Sequence, residues 1–187
     1  MVQKRKDLNG LISGFKASDL VFLDESGCNT DMTRRYTYSL GGSRAVDSAP
    51  LSKPKNTTIL SSIQLDGTLR YTTFSGGTTV ERFKRYLESD LLPHLNGNSV
   101  LIMDNMKSHH AKAVKNLLDS SEIRYIYLPP YSPDLNPIEK LWSKVKAFLR
   151  KFKARTLDAL PNAIQNAFHA VTVSDCSGWF RFCGYAL

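Results

Sequence analysis

The sequence predicts an α/β fold in which a mixed sheet, part antiparallel and part parallel, is covered by helices. Two strand-like runs meet at Asp66-Gly67, a dipeptide that favours a tight hairpin between alternating segments. Farther along, short apolar runs at residues 99–103 and 123–128 alternate with helical segments. A strand-helix-strand-helix order calls for crossover connections and therefore parallel strands. At 187 residues and 42% apolar composition, the chain is large enough to bury such a sheet within one domain.

Residues 1–19 are polar and basic and read as a leader or the remnant of a missing N-terminal module; residues 20–187 form the folded domain. Val21, Phe22 and Leu23 make a short apolar strand that ends at Asp24, with Glu25, Ser26 and Gly27 expected to turn the chain. An acid so placed is displayed at a sheet edge on a rigid backbone, although a turn or capping carboxylate is the plainer alternative. The runs at residues 34–40, 57–65 and 69–74 are strand-like. A Gly41-Gly42 turn and a loop around Pro50 and Pro54 separate the first two. The first half is thus expected to be an antiparallel meander.

Thr78 or Thr79 caps a helix whose apolar positions Val80, Phe83, Leu87 and Leu91 recur at helical spacing, ending before Pro93. Residues 99–103 form a strand that delivers Asp104, residues 110–118 a helix, and residues 123–128 a strand of alternating β-branched and aromatic side chains. The loop LPPYSPDLNP at residues 128–137 has four prolines in ten residues. Proline fixes φ and restrains its predecessor, so this loop is stiff and aims whatever follows it.

Asn136 and Pro137 suit the cap and first turn of a helix, which puts Glu139 at its third position. That is also a capping-box arrangement, which needs no metal. In this helix Ile138, Leu141, Trp142, Val145, Phe148 and Leu149 share an apolar sector of about 120°. Glu139 lies beside it, in line with Ser143, Lys146 and Arg150, and has no basic residue three or four positions on. The C-terminal segments, residues 156–171 and 175–187, read as two helices packed on the sheet, with Trp179, Phe180 and Phe182 as core or docking residues.

A formal net charge of +8 favours a polyanionic partner, nucleic acid or an anionic membrane surface. Seven basic residues and no acid lie between Lys140 and Arg155. Lys140 and Lys144 repel one another at i, i+4, so the charge does not serve the helix itself. Lys140, Lys144, Lys146, Arg150 and Lys151 are therefore candidates to track a phosphate backbone. No apolar run reaches the roughly 18 residues of a membrane span, and the N-terminus lacks a signal-peptide core; a cytoplasmic or nucleoid location is expected. Cys28, Cys176 and Cys183 have neither disulfide nor zinc spacing and read as small buried residues or free thiols.

Two acids on rigid mounts, Asp104 and Glu139, with Asp24 as a third, suit a hard divalent cation, because the donors are all oxygens. Mg2+ is expected, with Mn2+ substituting. Two such ions about 4 Å apart activate a water or a 3′-hydroxyl and stabilise the leaving oxygen in attack on a phosphodiester.

The pieces FLDES, IMDNMKSHH and YLPPYSPDLNPIEKLWSKVK, together with RRYTYSLGG and the turn through LDG, resemble the catalytic domain of DDE-type transposases of the IS630/Tc1/mariner superfamily. The 34 residues between Asp104 and Glu139 match that family's spacing. The resemblance implies an RNase H-like, five-stranded mixed sheet flanked by helices, with Asp24, Asp104 and Glu139 as the metal-binding triad. It implies DNA as partner: hydrolysis at transposon ends, then joining of the 3′-hydroxyl to target DNA, commonly at TA, by a homodimer on DNA. Asn105 and His109 fall on family motif positions and are expected near the metals or the DNA. Family members usually carry helix-turn-helix recognition modules ahead of this domain, so such a module is expected as a separate product or a missing part. The alternatives are an RNase H-like nuclease without strand transfer, or a catalytically retired DNA-binding domain.

Overall fold

The computed structural model describes residues 5, 8, 10–34, 36, 38–46, 48 and 54–185. Strands β1 (Leu20–Cys28), β2 (Thr57–Ile63) and β3 (Leu69–Ser75) are followed by helix α1 (Val80–Tyr86). Then come β4 (Val100–Met103), α2 (Lys112–Ser120), β5 (Arg124–Tyr127) and α3 (Ile138–Phe152). Helices α4 (Ala159–His169) and α5 (Val173–Phe182) close the order. One five-stranded sheet runs β3-β2-β1-β4-β5, antiparallel from β1 to β3 and parallel from β1 through β4 to β5. The expected mixed sheet is present.

Strand alternation divides the core between the two faces. Leu20, Phe22, Val100 and Ile102 pack with Leu141, Val145, Ile164 and Phe180 of the C-terminal helices. Val21, Leu23, Leu101 and Met103 point the other way, onto Phe83 and Leu87 and onto Val114 and Leu118 of α2. Each such fully buried side chain contributes about 1.5–3 kcal/mol of transfer free energy, so β1 and β4 are clamped from both faces. Leu8 and Ile12 also enter the first core, and Arg5 makes paired hydrogen bonds to Asp134, each 2.9 Å. All three cysteines are buried and free. Among the described residues no helix is long and apolar enough to cross a membrane.

The first strand differs from expectation. β1 does not stop at Asp24; it continues to Cys28, because β2 supplies an antiparallel partner from Asp24↔Ser61 to Cys28↔Thr57. Its parallel pairing with β4 ends at Leu23↔Met103, so Asp24 is the first residue past that ladder. Gly27 lies within the strand, paired with Thr58, instead of in a turn.

Residues 34–40 are not a strand where they are described. β1 has a neighbour on each side, which leaves no free edge, and Tyr36, Tyr38 and Leu40 are 92%, 103% and 87% exposed. Arg35, Thr37 and Pro50 lie outside the described residues. The Gly41-Gly42 turn is present, closed by Ser43 N–H donating to the Leu40 carbonyl at 3.0 Å.

Thr79 caps α1, which passes through a π turn at Leu87–Leu91 into a 3-10 turn at Leu92–His94 that contains Pro93. The helix after β4 begins at Lys112, later than expected, because residues 106–111 fold into successive turns. Those turns carry His109 beneath the sheet.

Candidate metal-binding active site

Asp24, Asp104 and Glu139 come from three distant segments and line one cavity of about 490 Å³. Asp24 stands in β1, Asp104 directly follows β4, and Glu139 lies in the first turn of α3. The stiff loop forms a wall through Pro129, Pro130 and Pro133, and Asn105 and Met106 complete the rim. Tyr131 sits in that wall with φ +55° and 87% of its surface exposed.

Asn136 does not cap α3. The position ahead of the helix is Pro137, no side chain caps it, and Asn136 Oδ1 is buried without a partner. Glu139 is therefore not held in a capping box; its N–H donates to the Asn136 carbonyl at 3.1 Å, and its side chain is exposed at the cavity.

The two aspartates have opposite electrostatics. Asp24 is only 8% exposed, and its Oδ2 accepts a hydrogen bond from Trp142 Nε1 at 3.0 Å. Burial pushes its carboxyl up to about 7, helped by the nearby Asp104 and opposed by the Trp142 bond. Asp104 is also partly desolvated, but hydrogen bonds from His109 and the Met106 N–H outweigh that cost and hold its pKa below the ordinary range. Both donors reach Oδ1, each at 2.9 Å. Burial would favour neutral His109, yet its bonds to Asp104 and Glu25 prevail and lift its pKa to about 9.

As these side chains stand, no set of three His, Cys, Asp or Glu among the described residues encloses a metal position. Two of the three acids are turned to Trp142 and His109. The donor chemistry nevertheless fits a hard cation: three carboxylates on one cavity, one of them desolvated to the point where nearby positive charge would restore its ionisation.

The other predicted site residues separate. Asn105 lies on the cavity rim, where it donates to the Leu128 carbonyl and contacts His110 Nε2 at 3.2 Å. His109 is wholly buried, so it offers no surface to DNA and instead joins Asp104 to Glu25. The basic face of α3 divides in two. Lys140 sits 3.8 Å above the Phe182 ring and Lys144 pairs with Asp175, whose side chain completes the capping box that Thr172 begins at the start of α5. Lys146 and Arg150 line a separate cavity of about 810 Å³ with Arg34 and Asp31, and Lys151 is exposed.

Sequence reasoning places Trp142 in the core sector and Glu25 in a turn. The structure sets Trp142 against Asp24 and Glu25 against His109. One signal was available for Trp142: it follows Glu139 by three residues, which puts it next to the acid on the helix.

The sequence profile described as DDE superfamily endonuclease matches residues 19–161, a stretch that contains the whole three-acid cavity. The chain belongs to the DDE superfamily of endonucleases. This DDE chain is 33% identical over 75 residues to the Tc1 transposase of Caenorhabditis elegans, and 31% identical over 75 residues to the Tcb2 transposase of Caenorhabditis briggsae. Each match takes in 40% of this chain and 28% of the relative.

Among solved structures, the Mos1 transposase paired-end complex with left transposon end superposes with a TM-score of 0.80 at 18% identity, over 96% of this chain and 56% of that one. The catalytic domain of Mos1 mariner transposase gives a TM-score of 0.68 at 16% identity, over 96% of this chain and 85% of that one. At such identities the likeness shows the fold, which is RNase H-like. The DDE chain thus spans about half of the transposase in that complex and under a third of the curated relatives it matches.

Proposed function

We propose that this DDE chain is the catalytic domain of a transposase, which cuts phosphodiesters at transposon ends and joins the 3′-hydroxyl to target DNA. The observation that carries this is the convergence of Asp24, Asp104 and Glu139 on one cavity inside the family-matched stretch. Supporting it, the solved Mos1 structures include a strand transfer complex and paired-end complexes with Mn and with Mg.

In this reading Asp24, Asp104 and Glu139 hold two Mg2+ ions, or Mn2+ in their place. When bound, the ions supply activation of a water or 3′-hydroxyl and stabilisation of the departing oxygen. The protein's own part is placement. β1 and β4 fix two carboxylates side by side, and the proline loop sets the start of α3 and with it Glu139. DNA is the partner, a DNA-bound homodimer acts on two ends, the target is commonly TA, and a separate helix-turn-helix module finds the terminal repeats. A cytoplasmic or nucleoid setting follows from the substrate.

The test supplies plasmid DNA and, separately, oligonucleotides with pre-cleaved 3′-hydroxyl ends, each with Mg2+ or Mn2+. Joining of the pre-cleaved ends is expected. Cleavage without joining would make the chain a nuclease, and neither activity would leave a DNA-binding domain.

The division of the basic face gives a second expectation. Lys146 and Arg150 are free of α5, whereas Lys140 and Lys144 are engaged with it. Lys146→Ala with Arg150→Ala should weaken DNA binding and reduce the salt slope by about 2, because two phosphate contacts release two fewer counterions. Lys140→Ala with Lys144→Ala should change the slope by less than about 1. Fluorescence anisotropy across a salt series measures both; equal slopes for the two pairs would remove the distinction.

A further inference from the structure

We infer that Glu25 and His109 are a positioning pair for Asp104: together they hold its Oδ1 and leave Oδ2 as the oxygen offered to the cation. The inference rests on the reading of Asp24, Asp104 and Glu139 as a cation site.

Asp24 and Glu25 are successive residues of β1, so they point to opposite faces of the sheet. Asp24 faces α3 and the cavity. Glu25 faces the layer of α1 and α2, where His109 is buried. There His109 Nδ1 lies 2.9 Å from Asp104 Oδ1 and Nε2 lies 3.2 Å from Glu25 Oε2. Both ring nitrogens face carboxylate oxygens, so both are donors.

The ring is fixed from other sides as well. It stacks on Phe83 with centroids 4.2 Å apart, and Tyr127 donates to the His109 carbonyl at 2.9 Å. Nothing here lets the imidazole turn away from Asp104. That matters because Asp104 follows a four-residue strand and its side chain is 48% exposed, so packing alone does not select one rotamer. Two donors on the same oxygen, His109 and the Met106 N–H, do select one.

Glu25 gives the pair its electrostatic sense. A cationic imidazole alone would oppose a metal ion a few ångströms away, and a carboxylate on its far side cancels that charge. A buried arrangement of this kind is a poor way to gain stability, since a well-packed apolar cluster serves as well or better. The cost extends to Glu25 Oε1, which is buried with no partner. Orientation of a metal ligand explains why such a cluster is there, and groups behind a ligand typically affect metal affinity by about 10–100-fold.

The test uses the full chain and Mn2+ titration followed by electron paramagnetic resonance, counting only the binding lost in Asp104→Ala. His109→Phe with Glu25→Gln replaces a neutral pair by a neutral pair and keeps a ring on Phe83. The expected result is Mn2+ binding weaker by about tenfold or more. The melting temperature of the metal-free variant separates this loss from misfolding. Mn2+ affinity unchanged in the folded variant overturns the inference and leaves the cation site standing. No Asp104-dependent Mn2+ binding in the unaltered chain overturns the cation site and the inference with it. Should the double variant not fold, Glu25→Gln alone decides: it keeps the imidazole but removes its anchor, and an affinity that stays the same overturns the proposal.

Discussion

Alanine in place of Asp24, Asp104 or Glu139 is expected to lower Mg2+-dependent cleavage and joining by about a thousandfold or more, corresponding to roughly 4 kcal/mol of lost transition-state stabilisation. The three changes should differ in what they do to the protein. Glu139 is exposed and held in no capping box, so Glu139→Ala should leave the unfolding midpoint almost unchanged. Asp104→Ala strips His109 of one acceptor, and Asp24→Ala leaves the Trp142 indole N–H without its partner, so both should alter stability as well as activity. A gel assay of nicked and joined products, with urea melts of each variant, separates these effects. Activity within tenfold of the unaltered chain in all three would dismiss the metal triad.

Metal-induced stabilisation is expected to be small at pH 5.5 and large at pH 8, because of Asp24. Its folded pKa of about 7 lies above the ordinary 3.8, so the folded state binds this proton more tightly than the unfolded state does. That contribution is fully present below pH 3.8 and is lost as the pH rises towards 7. Acting alone it would amount to something of order 4 kcal/mol, at 1.36 kcal/mol per pKa unit. Above pH 7 the metal-free protein holds an ionised carboxylate that burial disfavours, and a bound cation relieves it.

Below pH 7 a proton competes for the same oxygen, and apparent metal affinity should fall about tenfold per pH unit. Asp104 does not share this dependence, since its pKa is held low. Calorimetry with and without Mg2+ at the two pH values measures the difference. Asp24→Asn should abolish it and make the metal-free protein more stable than the unaltered chain at pH 8. An equal rise in melting temperature at both pH values would show that Asp24 does not titrate between them.

The strands, and the placing of Asp24 and Asp104 after apolar runs, were legible because their signals are local. The hairpin at Asp66-Gly67, the apolar runs ahead of Asp24 and Asp104, and the proline loop before α3 are each properties of a few consecutive residues, and each recurs in the structure. Where local and non-local preferences conflict, the local reading fails. Glu25-Ser26-Gly27 resembles a turn, yet pairing with β2 extends the strand by four residues beyond Asp24. Residues 34–40 resemble a strand, yet the sheet offers no edge beside β1.

By itself the sequence determined the mixed sheet and most of its elements, because periodicity and turn chemistry are written along the chain, and it nominated three acids that the fold brings to one cavity. Only the tertiary structure decided what surrounds those acids. It set Trp142 against Asp24, buried His109 between Asp104 and Glu25, and divided the basic face of α3 between α5 and a second cavity. These contacts join residues as far apart as Asp24 and Trp142. Burial, hydrogen-bond partners and pKa shifts arise from such neighbours, and neighbours are fixed only when the sheet and helices have packed.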